Sequence, residues 1–373
     1  MRVQEERGRD TPERRRAKVI PLPRRGAPPE AAEHDAPERR RRLLRWVERA
    51  LLVVGIVGLA AIVREIGFDA VLESFRRLRF LLPLLLIFPG ILLQVSETLA
   101  WRFAFRHDVA TFRELFVARL AGEALSATTP TATVGGESVK AWLLSQRARV
   151  REIVPSLVVA KTSDALAQFL FLGLGLALAW QEPHLDPRML HGMVTLLFIE
   201  ALCIVGFAAV QTGGALARVR ALLARLRVMS EISVDSATLH VDRALARYYR
   251  LRGGRFVLST SFNLISCLLS ALETAILMHA LGGPGSFANA LVINAIASGI
   301  SFLAFFVPGQ IAVREGAYVA AFVALGLDPA VGLSVALAKR VLDLTWAGVG
   351  LVLLARRRRA GLTTRRPLSA GTS

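Results

Sequence analysis

Apolar runs long enough to cross a membrane recur along this chain, at about 44–63, 80–101, 153–180, 190–212, 256–281 and 330–355. A helix needs about 20 consecutive apolar residues to traverse the hydrocarbon core. A soluble domain does not string six such runs together, and with 53% hydrophobic residues the chain has the composition to match. Only helices and closed barrels satisfy their own backbone in lipid. The fold class expected is therefore all-α, a polytopic integral membrane protein with about six full spans.

The net charge of +18 argues for a membrane flank rather than for nucleic acid. Arginines cluster at both ends (Arg14–Arg16, Arg39–Arg42, Arg356–Arg359) and in the segments Arg102–Arg119, Arg147–Arg151 and 216–255. Basic loops stay cytoplasmic and are drawn to anionic lipid. The expected orientation puts both termini in the cytoplasm of a bacterial-type cell (inner) membrane, with "QEPHLDPR" and "GGPGS" outside. "FRRLRF" (75–80) then falls outside too, where an interfacial helix with snorkelling arginines accommodates it. Membrane lipids are the expected partners, and lipid-biosynthesis proteins are candidates; nucleic acid is not expected.

The domain organisation follows the same pattern. Residues 1–42 read as a disordered basic cytoplasmic tail, 43–214 as a first membrane half and 256–355 as a second, with a basic tail over 356–373. Between the halves, 215–255 reads as an amphipathic connector, lying on the membrane surface or solvated. Cys203 and Cys267 lie in apolar runs, the six histidines are scattered, and no metal-ligand spacing, nucleophile motif or P-loop occurs. No cofactor, metal or catalytic residue is expected.

Two segments depart from simple spans. Residues 115–145 begin and end beside basic, inside-type sequence, whereas 286–327 begin and end in outside-type loops. Each breaks near its middle, at "TTPTATVGGES" and "VPGQIAVREG". Each is either two spans or a re-entrant hairpin buried in protein or lining a polar cavity; counted once apiece, they bring the apolar segments to eight by hydropathy. Shifting the chain by 178 residues superposes Pro130, Glu137, Ser156 and Lys161 on Pro308, Glu315, Ser334 and Lys339 without a gap. Upstream, "LLQVSET" (92–98) resembles "LLSALET" (268–274). With one hairpin entering from each side, the copies form an inverted repeat, a design common among secondary transporters with broken helices.

Charged residues inside the spans follow the repeat. Lys161 and Asp164 share one helix face, as do Lys339 and Asp343. The two lysines lie about 12–15 Å into their spans at 1.5 Å per residue, where an ionisable group is by default functional. The alternative is that these are ion pairs knitting the bundle. Glu97 and Glu273, nearer span ends, read as snorkelling acids, and Glu200 sits mid-span with no evident partner.

The stretches "PTATVGGESVKAWLL", "VVAKTSDALAQFL" and "VPGQIAVREGAYVAAFVALGLDPAVGLSVALAKRVLDL" resemble the flippase-like family, also described as the membrane region of lysylphosphatidylglycerol synthase. The likeness covers about residues 45–355. "FFVPGQIAVREG" with "LAKR" is similar to its hopanoid-biosynthesis-associated branch. The resemblance implies movement of a lipid or lipid-linked product between leaflets or membranes. It implicates Pro130, Gly135, Gly136 and Glu137, then Pro308, Gly309 and Glu315. Gln310 and Ala312 stand where many relatives have glycine, which predicts a stiffer second hairpin. The aminoacyl-transferase domain of true lysyl-lipid synthases is not expected, nor is synthesis by this chain.

These readings predict a furrow in which Lys161, Arg314, Lys339 and Arg340 neutralise an anionic head group while Glu137 and Glu315 bind protons or a basic group. Glu137, Lys161, Glu315 and Lys339 are expected around one cavity, with Asp164 and Asp343 behind the lysines. The rival readings are a small-solute transporter on a similar fold, a membrane enzyme acting on a lipid-linked substrate, and a scaffold for lipid synthesis.

Overall fold

The computed structural model describes residues 64, 72–73, 76–128, 132–145, 147–181, 187–212, 237–283, 286–304, 310 and 312–363. The expected N-terminal tail, the 44–63 span, much of the connector (213–236), the last ten residues, and Pro130, Pro308 and Gly309 lie outside them. Every regular element among the described residues is helical, and the protein is a polytopic all-α membrane protein.

Among the described residues from Leu81 on, ten helices follow in order. Helix α1 (Leu81–Ala104) is bent at Pro89, beside Phe88 with non-helical φ −139° and ψ 123°; an interior proline cannot supply the backbone donor a straight helix needs. Helices α2 (Phe112–Thr128) and α3 (Ala132–Leu144) form the first hairpin. The chain then runs through α4 (Val150–Ala179), α5 (Pro187–Thr212), α6 (Ala237–Leu251) and α7 (Gly253–Ala280). Helices α8 (Phe287–Leu303) and α9 (Val313–Ala324) form the second hairpin, and α10 (Pro329–Thr363) closes the bundle.

Among the described residues, four helices are long and apolar enough to span: α1, α4, α5 (over Pro187–Ala209) and α7. These match four of the expected runs. The fifth, 330–355, is long enough within α10 but carries Lys339, Arg340 and Asp343 in its apolar stretch. The hairpin arms have 17, 13, 17 and 12 residues. At 1.5 Å per residue they rise about 25, 20, 25 and 18 Å, short of the roughly 30 Å core. Helical arms this short fit broken hairpins better than four extra spans.

Local signals set the helix ends. Thr111 and Glu114 form a capping box at the start of α2: Thr111 N–H donates to Glu114 Oε2 at 3.0 Å, and Glu114 N–H donates to Thr111 Oγ1 at 3.4 Å. At α10, Ala330 N–H donates to Asp328 Oδ1 at 2.8 Å, with Pro329 in the first turn.

The apolar core has two clusters. One gathers Phe171, Met193, Ile293, Tyr318, Phe322 and Leu342 around the second hairpin. The other gathers Trp101, Phe105, Leu115, Leu144, Ile153 and Tyr248 around the first. The described end of the connector is thus docked on the bundle rather than free in solvent: Leu245 and Tyr248 of α6 are buried, and Tyr248 Oη donates to Phe103 O at 2.8 Å. Beside it Arg255 donates to Phe105 O at 2.8 Å, to Arg102 O at 2.9 Å and to Asp108 at 2.9 Å, closing the exposed carbonyls at the end of α1. Hydrogen bonds from Arg102 and then Arg255 hold the Asp108 carboxyl down at about 2.

Candidate functional site

The first hairpin owes its shape to two glycines. A Cβ on Gly136 would stand 2.4 Å from Gly122 O and 1.9 Å from Ser126 Oγ, so α2 and α3 touch backbone to backbone. Small residues allow this approach between helices in a membrane. It brings Glu137 to the inner face of α3, between two lysines. Lys140 Nζ donates to Glu137 Oε1 at 3.1 Å, and Lys161 Nζ on α4 lies 3.6 Å from the same oxygen.

A second knot lies beside it, around Arg119 of α2, which is 3% exposed. Its guanidinium donates to Glu97 and Gln94, to Glu123 at 2.6 Å and to Thr98 Oγ1 at 3.1 Å. Four acceptors around one buried cation satisfy its fork, which the planar arginine geometry favours. Arg119 was not among the residues singled out from the sequence. The available signal was an arginine and a glutamate four residues apart (Arg119, Glu123) within an apolar helix, facing the glutamate of "QVSET".

The second half repeats the chemistry with different partners. Lys339 is 1% exposed, and its ammonium donates to Glu273 Oε2 at 2.8 Å, Ser270 Oγ at 2.9 Å and Ser270 O at 3.0 Å. All three of its protons are used. Glu315, in the first turn of α9, is fully buried and takes its hydrogen bond from Arg340, the residue after the lysine. Arg314 donates to Asp343. Thr274 and Tyr318 both donate to Asn294 Oδ1, the former at 3.3 Å.

These contacts correct three expectations. Glu97 and Glu273 do not snorkel; each is bound to a buried cation on a neighbouring helix. Lys339 and Asp343 do not pair along α10, because each finds a partner on another helix. The four motif charges also do not surround one cavity, since neither Glu315 nor Lys339 lines either cavity described next.

Two cavities adjoin. The smaller, about 150 Å³, is bounded by the first hairpin with Glu137, Lys140, Arg119 and Glu123. The larger, about 950 Å³, lies among α1, α4, α5, α7 and α8 and reaches Arg314 and Asp343. Glu97, Lys161 and Asp164 line both. Asp164 and Asp343 therefore face the cavity directly rather than standing behind the lysines. The larger cavity has an apolar wall including Leu93, Ile204, Phe207 and Phe302, and a polar wall including Ser266, Ser270, Asn294 and Gln310. Gly135 lies on α3 beside Gly136. Among the described residues no group of three or more His, Cys, Asp or Glu side chains is placed to hold a metal.

Gln310 and Ala312, where the family resemblance leads us to expect glycine, have φ of 48° and 67°. Left-handed backbone costs an L-residue about 1–2 kcal/mol, and glycine avoids most of it. Ala312→Gly is therefore expected to stabilise the protein by about 1 kcal/mol. A thermal unfolding series in detergent would read this as a raised midpoint; a lowered one would show that the alanine methyl packs well enough to outweigh the strain.

The profile of the family described as "Lysylphosphatidylglycerol synthase TM region" matches residues 47–352. A UPF0104 membrane protein from Methanothermobacter thermautotrophicus is 31% identical over 126 residues, covering 33% of this chain and 37% of that relative. The chain thus spans well under half the length of this curated relative. No solved structure matches it.

Proposed function

The chain belongs to the lysylphosphatidylglycerol synthase TM-region family, and from that premise we propose that it moves an amphipathic lipid or lipid-linked product across the bilayer or between membranes. One observation carries this reading: two cavities of different chemistry meet at Glu97, Lys161 and Asp164, the smaller of them bounded by Glu137 and Arg119 of the first hairpin. A head group in the polar part and tails along the apolar wall would match an amphipathic ligand. Lys161 and Arg314, which line the larger cavity, are the cations offered to the head group. Lys339 and Arg340 hold Glu273 and Glu315 in place. A hopanoid is a candidate cargo, on the likeness of "FFVPGQIAVREG" and "LAKR" to that branch.

In this proposal the halves are inverted copies: α1–α4 answer to α7–α10, and the alternation of access comes from rocking one against the other. Equivalent positions holding equivalent tasks support the repeat. Thr98 bonds α2 as Thr274 bonds α8, and each hairpin glutamate takes a cation from the helix that follows. Both termini are placed in the cytoplasm of a bacterial inner membrane. The burial of Glu315, the acid of the second motif, against Arg340 weighs against its serving as a general base.

Glu137→Gln and Glu315→Gln keep size while removing the charge. A hydrogen bond to a charged group contributes about 1.5–3 kcal/mol, so lipid movement is expected to fall roughly 10- to 100-fold with near-normal insertion. Fluorescent-lipid exchange in reconstituted vesicles measures this, alongside mass spectrometry of co-purifying lipid. Wild-type rates in both variants would make the two acids purely structural. Flux of a small solute without lipid exchange would favour the rival transporter.

A further inference from the structure

Glu200 takes no part in the ion pairs described above. It lies 13 residues after Pro187, about 20 Å along α5 at 1.5 Å per residue, near the middle of a 26-residue helix. It is 1% exposed, and neither of its carboxyl oxygens has a hydrogen-bond partner. The carboxyl lies over Gly299 of α8. A Cβ on Gly299 would lie 3.7 Å from Glu200 Oε1, 3.3 Å from Leu172 Cδ2 and 3.4 Å from Leu196 Cδ1.

The position of this acid relative to the larger cavity is what gives it a use. Glu200, Cys203, Ile204 and Phe207 fall at i, i+3, i+4 and i+7, on one face of α5. The last three line the cavity, as do Ala297, Ser298 and Ser301 on either side of Gly299. Glu200 continues that wall by one turn and is covered where α5 meets Gly299, with Leu172 and Leu196 beside it. Helix α5 is also lightly held, with Phe198, Leu202 and Val205 exposed on its outer side. Parting the α5–α8 seam by one turn would join the carboxyl to the cavity.

The charges that could face Glu200 are few. Helix α8 has no titratable side chain. Helix α4 carries Lys161 and Asp164 in this part of the bundle, α6 carries Arg247, Tyr248, Tyr249 and Arg250, and α7 carries Cys267. None of them hydrogen-bonds the carboxyl. An ionised carboxylate enclosed by leucines and bare backbone would bear an uncompensated desolvation penalty, and an intramembrane acid of this kind usually serves a path rather than the packing.

We propose that Glu200 is a proton-binding site that exchanges its proton with water in the cavity when the α5–α8 seam opens and holds it when the seam is closed. It takes the proton up while the cavity faces one side of the membrane and releases it while the cavity faces the other. Lipid movement is thereby coupled to the proton gradient; this coupling rests on the transport reading above.

The test uses the full chain in lipid with dicyclohexylcarbodiimide, an apolar reagent for protonated carboxyls, read by peptide mass spectrometry. Glu200 is expected to be modified, less so as pH rises, and the adduct is expected to be lost in E200Q. In vesicles, a pH gradient should accelerate lipid exchange by the wild type and not by E200Q. Glu200→Asp, which keeps the acid, should retain both responses and guards against a folding defect in the glutamine variant. A Glu200 unmodified at every pH in folded protein overturns the site, and an E200Q variant that still follows the gradient overturns the coupling. A titrating Glu200 in a wild type that moves no lipid would leave the proton site standing and remove the transport reading instead.

Discussion

Lys339→Met is expected to lower the stability of the folded protein by about 3–5 kcal/mol, the cost of leaving one member of a buried ion pair alone. The ammonium uses all three protons on Glu273 and Ser270 and is 1% exposed, so no solvent replaces it. Removing it strands Glu273, itself 7% exposed. The double variant Lys339→Met with Glu273→Leu should recover most of the loss, since replacing both charges by apolar groups of similar volume is often neutral. Thermal unfolding in detergent of the two singles and the double gives the coupling directly. Additive losses would mean that the two side chains do not depend on each other. The same cycle reports on function, because Ser270 and Glu273 line the larger cavity and a stranded acid would change its charge.

Gly136→Val is expected to disrupt the first hairpin. Its Cβ would stand 2.4 Å from Gly122 O, which is backbone and cannot swing aside. The hairpin arms must part, at a cost of about 1–3 kcal/mol or more for overpacking of a tight contact. Parting them also moves Glu137 away from Lys161, so lipid exchange should fall even where folded protein can be recovered. Ser126→Ala removes the other close contact, at 1.9 Å, but should not rescue the valine variant because the carbonyl remains. Rescue by Ser126→Ala would show that the side chain, not the backbone, sets the spacing.

The two predictions differ in how far the sequence alone leads to them. "GGES" marks the first motif by its glycines, and their physical reason is a helix-to-helix approach that periodicity cannot reveal. Lys339 is conspicuous in an apolar run, but its partner is not. Spacing along one helix suggested Asp343, four residues on. The bundle supplied Glu273 from α7 instead, and gave Asp343 to Arg314. A 178-residue shift equates Lys161 with Lys339, yet the cation that meets the second motif glutamate is Arg340. A one-residue step turns a helix by 100°, enough to exchange which of two adjacent cations faces the hairpin.

Membrane residence, the four helices long enough to span, and the two breaks in helical segments were legible in the amino-acid sequence, because apolar length and helix-breaking residues act locally. The unusual acids and bases were legible too, since a charge in an apolar run stands out whatever its surroundings. Their pairing was not. Arg119 as the hub for Glu97, Glu123, Gln94 and Thr98, the burial of Glu315, the separation of the motif charges from a single furrow, and the seam over Glu200 depend on which helix faces which. A buried charge has to find its counter-charge in space, and in a helical bundle nearest neighbours in space lie 20 to 150 residues apart in the chain. Only the tertiary structure chooses among them.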